Sequence, residues 1–124
     1  MHTDVEVARL PGLLLSARTS LVTIGHGRDE SSVAAATAFV DGWLAVGGEI
    51  LAVVDWPEEA ASWLRPAERF VAGGPDAWVV TARPAGFAAL CRRLRTTTWD
   101  PARTYRLAGL ADPRSRSTGG TSRL

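Results

Sequence analysis

Apolar residues gather along the chain in four runs of strand length, each closed by a polar or glycine-rich break. Leu21-Val22-Thr23-Ile24 ends at Gly25-His26-Gly27. Glu49-Ile50-Leu51-Ala52-Val53-Val54-Asp55 ends at Trp56-Pro57. Asp76-Ala77-Trp78-Val79-Val80-Thr81 is the third run and Thr104-Tyr105-Arg106-Leu107-Ala108-Gly109-Leu110 the fourth. Short, near-continuous apolar runs between turn signals predict buried strands. The segments between them carry helical spacing. Val33, Ala36, Val40, Trp43 or Leu44, and Gly47 recur as one helix face after a cap at Asp29, Ser31 or Ser32. That helix is expected to stop at Gly47-Gly48. Pro66 predicts a second helix starting near Arg65-Pro66 and ending at Gly73-Gly74, because proline is tolerated only in a helix's first turn. Residues 57–64 are then a loop anchored by Trp63 and Leu64. Pro84 opens a third helix with Phe87, Leu90, Cys91 and Leu94 on one face.

The predicted order is β-α-β-α-β-α-β. Such alternation implies an α/β fold, a three-layer sandwich with a parallel sheet of about four strands and right-handed crossovers. The lobe spans residues 21–112. Residues 1–20 form a lead-in segment, with Val5, Val7 and Leu10 fitting an extra helix weakly. Residues 113–124, rich in Pro, Arg, Ser, Gly and Thr, are expected to be a disordered basic tail.

The 124 residues amount to one domain. An apolar content of 46% with 22% charged residues is that of a folded globular chain and excludes disorder throughout. All 14 positive charges are Arg, and the formal net charge is +1. Residues 1–112 hold 11 Arg against 13 acids, so the compact part is slightly acidic. Nucleic acid is therefore not an expected partner. The single Cys91 excludes an internal disulfide and a cysteine-based zinc site. No apolar stretch is long enough to span a membrane, and residues 1–20 lack a basic start. As the chain stands, a cytoplasmic location without membrane insertion is expected.

In open α/β sheets, ligands sit outside the carboxyl ends of the strands. That rule selects His26, Gly27 and Arg28, then Asp55 and Trp56, then Thr81 and Arg83, and Gly109. His26 is the one histidine placed for acid–base work. Gly25-His26-Gly27 lacks the third glycine of a dinucleotide loop, since position 30 is Glu. A nucleophile elbow and a P-loop lysine are both missing from the sequence. No cofactor and no metal is expected. Glu58-Glu59 is a solvated pair, Cys91 an inert core thiol, and Arg92, Arg93 and Arg95 a solvated helix end. Trp43 and Trp78 have core spacing, whereas Trp56, Trp63 and Trp99 are placed in loops or at helix edges, where exposed aromatics mark a partner surface.

The order of pieces also resembles a known family. Ala35-Ala36-Thr37-Ala38-Phe39, then Gly47-Gly48-Glu49-Ile50, then Ala67-Glu68-Arg69-Phe70-Val71-Ala72-Gly73-Gly74-Pro75-Asp76-Ala77-Trp78-Val79-Val80 is similar to type I periplasmic binding proteins. More narrowly it is similar to the branched-chain amino-acid receptors of ABC uptake systems. Pro84-Ala85-Gly86-Phe87-Ala88-Ala89-Leu90 and Trp99-Asp100-Pro101 continue the match. The family's Asp-x-Tyr-Gly-like segment is replaced by Gly27-Arg28-Asp29-Glu30-Ser31. The resemblance implies a non-enzymatic small-molecule receptor lobe for an amino acid or similar metabolite. It implies ligand contacts at His26, Arg28, Asp29, Thr81 and Arg83, and an anion at the Arg83-Pro84 helix start. Family members are periplasmic or extracellular and close two lobes on a ligand. One lobe here implies either a truncated receptor, completed by a separate first lobe or a homodimer, or a lobe reused elsewhere. Two other readings stay open: an interaction or dimerisation module, and a small flavodoxin-like enzyme using His26 and Asp55 as acid and base.

Overall fold

A computed structural model describes the backbone of residues 3–5 and the whole of residues 9–107. Its elements run β1 (Thr3–Val5), α1 (Leu10–Ser16), β2 (Leu21–Gly27), α2 (Glu30–Ala45), β3 (Glu49–Trp56), α3 (Leu64–Val71), β4 (Ala77–Thr81), α4 (Pro84–Leu94) and β5 (Thr104–Leu107). A short 3₁₀ turn, Pro101–Arg103, precedes β5. All pairings are parallel, in the order β1-β5-β4-β2-β3. The four strands expected from the apolar runs are present, and β1 adds a fifth at one edge. The lead-in segment thus supplies β1 and α1 to the same sheet and core. The expected tail, residues 113–124, lies outside the described residues, as does Gly109.

Helices cover both faces. On one, Leu10 and Leu14 of α1 and Ala36, Phe39 and Trp43 of α2 pack over Val22, Ile24, Ala77, Val79 and Leu107. On the other, Ala67 and Phe70 of α3 and Phe87, Leu90 and Leu94 of α4 pack over Val54, Trp56, Trp78 and Val80. Strand alternation explains the split in β4: Val79 faces one layer while Trp78 and Val80 face the other. In β3 the pattern is broken by a bulge. Val22 pairs with Ile50 but Thr23 pairs with Ala52, so Leu51 is the extra residue. Ile50 therefore packs toward α2, while Val54 and Trp56 pack toward α3.

Several helix details differ from the sequence expectation. The buried side of α2 is Ser32, Ala35, Ala36, Phe39 and Trp43. Val33, expected inside, is 41% exposed; of the alternatives Trp43 and Leu44, Trp43 is buried and Leu44 is 53% exposed. The helix is rich in alanine and apolar on more than one side, so its spacing supports two stripes and only packing selects one. Asp29 is the cap: its carboxylate accepts from Ser32 N at 3.0 Å and from Ser32 Oγ at 2.8 Å. Leu64, expected as an anchor, is 45% exposed. The larger correction concerns tryptophan. Trp56 is a β3 residue 1% exposed, stacked edge-on against Phe70, and offers nothing to a partner. Trp63 and Trp99 are half-buried against the same cluster. Burial pushes the Cys91 thiol up, despite the nearby charges of Arg95, Arg106 and Arg92, so it stays protonated at neutral pH.

The entry to β4 is tied to the entry to β2. Asp76 Oδ2 accepts from Leu21 N at 3.0 Å and from Ser20 N and Ser20 Oγ, both at 3.1 Å. These bonds, led by Leu21 N–H, hold the Asp76 carboxyl below its usual 3.8. A depressed native carboxylate binds protons less readily than its unfolded counterpart. Its stabilisation is therefore present above the usual carboxylate range and is lost as pH falls through the native value. Acid melts of wild type should show stability falling as pH drops below that range. Asp76→Asn should flatten the fall while lowering stability at neutral pH. Identical acid limbs in the two proteins would remove Asp76 from this role.

Candidate functional site

Strand order places the site. From β2 the chain crosses through α2 to β3 on one side; from β4 it crosses through α4 to β5 on the other. The loops leaving β2 and β4 therefore diverge toward opposite sides of the sheet, and α/β sheets of this kind take ligands in a crevice at that carboxyl edge. His26 stands in register with Asp55 of β3 on one side and with Thr81 of β4 on the other. The three form one row near the carboxyl ends of the strands. Gly27 brings the two loops together. A Cβ there would lie 2.9 Å from Asp29 Oδ1, crowding the carboxylate that caps α2, and 3.7 Å from the Ala82 Cα, an ordinary contact across the two loops.

Within this crevice the five residues expected from the sequence divide into two kinds. Asp29 and Thr81 are engaged by α2. Thr81 is buried, and its hydroxyl donates to Ser32 O at 2.9 Å, fastening the first turn of α2 to the end of β4. Asp29 caps the same turn. Burial alone would raise the Asp29 carboxyl, but the Ser32 bonds and the Arg83 charge outweigh it and hold it below 3.8. It is therefore an anion at neutral pH, with Arg83 near enough to be felt.

Arg28 and Arg83 keep donors for a ligand, and His26 keeps one ring nitrogen. Arg28 Nε pairs with Asp55 Oδ2 at 3.2 Å, both side chains being largely exposed, at 59% and 44%. One of five guanidinium donors is spent. Arg83 is exposed at the start of α4. His26 Nδ1 lies 2.7 Å from Gly27 O, which leaves Nε2 uncommitted.

Two expected features are altered. The α4 start is already partly capped: Glu58 Oε2 accepts from Gly86 N at 2.9 Å, and Pro84 has no N–H. A free anion there would compete with a resident carboxylate, so Arg83 rather than the helix amides is the available cation. Glu58 thus belongs to the fold and not to an idle acidic pair. Nothing local in the sequence signals this contact, because its partner lies 28 positions away. The acid–base pair is also absent in this arrangement. Asp55 turns to Arg28, and His26 bonds the main chain, so the two do not bond each other. Among the described residues, no group of three or more His, Cys, Asp or Glu could hold a metal ion.

No family model matches the sequence, and no curated protein matches it. Solved structures do match. A substrate-binding periplasmic protein from Ralstonia solanacearum superposes with a TM-score of 0.72 at 17% identity, covering 83% of this chain and 29% of its own. The chain has the fold of one lobe of a type I periplasmic binding protein. A branched-chain amino acid ABC transporter ligand-binding protein from Burkholderia xenovorans LB400 gives 0.68 at 18% identity, covering 92% of this chain and 30% of its own. A putative branched-chain amino acid ABC transporter protein from Rhodospirillum rubrum gives 0.72 at 16%, with 91% and 32% covered. The chain spans about three tenths of the length of the periplasmic binding structures it matches. Among the described residues no helix is long and apolar enough to cross a membrane.

Proposed function

We propose that this lobe binds a small carboxylate-bearing metabolite, such as an amino acid, in the crevice between the ends of β2 and β4. The observation that supports it is the pair of exposed guanidiniums, Arg28 and Arg83, flanking the point where the two loops meet. An arginine fork matches a carboxylate, and two of them at one sheet edge set its orientation. Asp29, ionised at neutral pH, is the group for a ligand ammonium. His26 Nε2 is a further polar contact, and Thr81 keeps α2 and the loop in place. One lobe supplies one wall, so we assign the opposing wall to a second lobe, as in a receptor serving an ABC uptake system. The site as read is a binding site without catalytic work.

Calorimetric titration with amino acids and small carboxylates tests this. One or more should bind, and Arg83→Ala should weaken the interaction roughly tenfold, the loss of one charge-assisted pair. Silence across the panel, or binding unchanged by Arg83→Ala, would overturn the assignment.

A further inference from the structure

A second feature lies away from this crevice, on the α3–α4 face. Ala61, Ser62 and Trp63 of the loop before α3 and Ala89, Arg92 and Arg93 of α4 line an open groove of about 390 Å³. Arg92 sits roughly 13 Å along α4 from Arg83, so the groove and the crevice are separate. Its chemistry is one-sided. Of its six lining residues the charged ones are Arg92 and Arg93, both cationic, while the nearby Glu58 is turned to Gly86 N. Among the described residues neither Arg92 nor Arg93 has an ion-pair partner. Ser62 Oγ accepts from Leu64 N at 3.2 Å, which leaves the hydroxyl proton free to donate. Trp63, half-buried against the core, supplies a rigid apolar wall, and Ala61 and Ala89 keep it wide.

We propose that this groove docks an acidic, partly apolar peptide segment of a partner protein. Charge complementarity favours that occupant: two adjacent guanidiniums and a hydroxyl donor ask for carboxylates, while Trp63 asks for an apolar side chain beside them. The groove's openness favours a peptide over a small metabolite, because a ligand pocket encloses most of its ligand and this one lies along the surface. The proposal is independent of the crevice reading.

The test is fluorescence anisotropy with a labelled peptide alternating Glu with Leu or Ala, against its Lys counterpart. The acidic peptide should bind, weaken as salt rises, and lose roughly tenfold or more in affinity in Arg92→Ala/Arg93→Ala. Both arginines are exposed, so the variant should melt as wild type does. Trp63→Phe should retain more binding than Trp63→Ala. No binding, equal binding of the Lys peptide, or affinity unmoved in the double arginine variant would overturn the proposal. An amino acid that binds the crevice should not compete with the peptide, which keeps the two sites distinguishable.

Discussion

Phe70→Ala should cost about 3–5 kcal/mol and release α3 from the sheet. Only Ala67 and Phe70 of this eight-residue helix are buried, and Leu64 is on the surface. Phe70 is fully enclosed and meets Trp56 edge-on at 6.1 Å and Trp78 at 6.2 Å between ring centroids. Truncation therefore removes the helix's anchor and opens a cavity between two indoles. The main-chain oxygen of Phe70 also accepts from Trp78 Nε1 at 2.7 Å, a bond that survives only while α3 stays docked. Denaturant unfolding should show the loss, and hydrogen exchange should accelerate most over residues 64–71. A loss under about 1 kcal/mol would place Phe70 outside a packed core.

Gly48→Ala should be comparably damaging although it adds one methyl group. A Cβ at Gly48 would stand 1.9 Å from Trp43 Cε2, inside the ring's own volume. Trp43 cannot step aside easily. It is fully buried, stacks on Phe39 at 6.1 Å, and donates from Nε1 to Glu49 O at 3.0 Å. Gly48 N in turn donates to Trp43 O at 2.9 Å, so the chain is held against the indole from both sides. Overpacking commonly costs about 1–3 kcal/mol, and displacing a buried tryptophan costs more. We expect a loss of about 3–5 kcal/mol, a large share of a small domain's stability. Gly47→Ala is the control. Its φ is +88°, but nothing lies within 4 Å of a Cβ there, so only the cost of a positive φ remains, near 1 kcal/mol. Equal melting temperatures for the two variants would contradict the Trp43 packing.

What was legible beforehand follows from this packing. The four apolar runs marked their strands because strands of a parallel sheet packed between helices are largely apolar. Thr3–Val5 carried no such mark: three residues with a central Asp show no period. Trp56 reads as loop from the sequence because it stands beside a proline, although it ends β3. Extending the β3 run by one residue, from Val54 to Trp56 at spacing two, would have placed it inside. The bulge at Leu51 hid that alternation. The site was legible in position, since the carboxyl edge follows from strand order. The duties of its residues were not, because Asp29–Ser32, Thr81–Ser32 and Arg28–Asp55 are contacts that only the folded chain makes. The Glu58 cap and the Arg92–Trp63 groove are of the same kind.

The central claim is that the crevice between β2 and β4 receives a small carboxylate. The most direct measurement is a two-dimensional amide NMR titration with an amino acid that binds in calorimetry. The account predicts saturable shifts at residues 26–29 and 81–83, lost in Arg83→Ala. Saturable shifts confined to another surface, with these residues still, would contradict it.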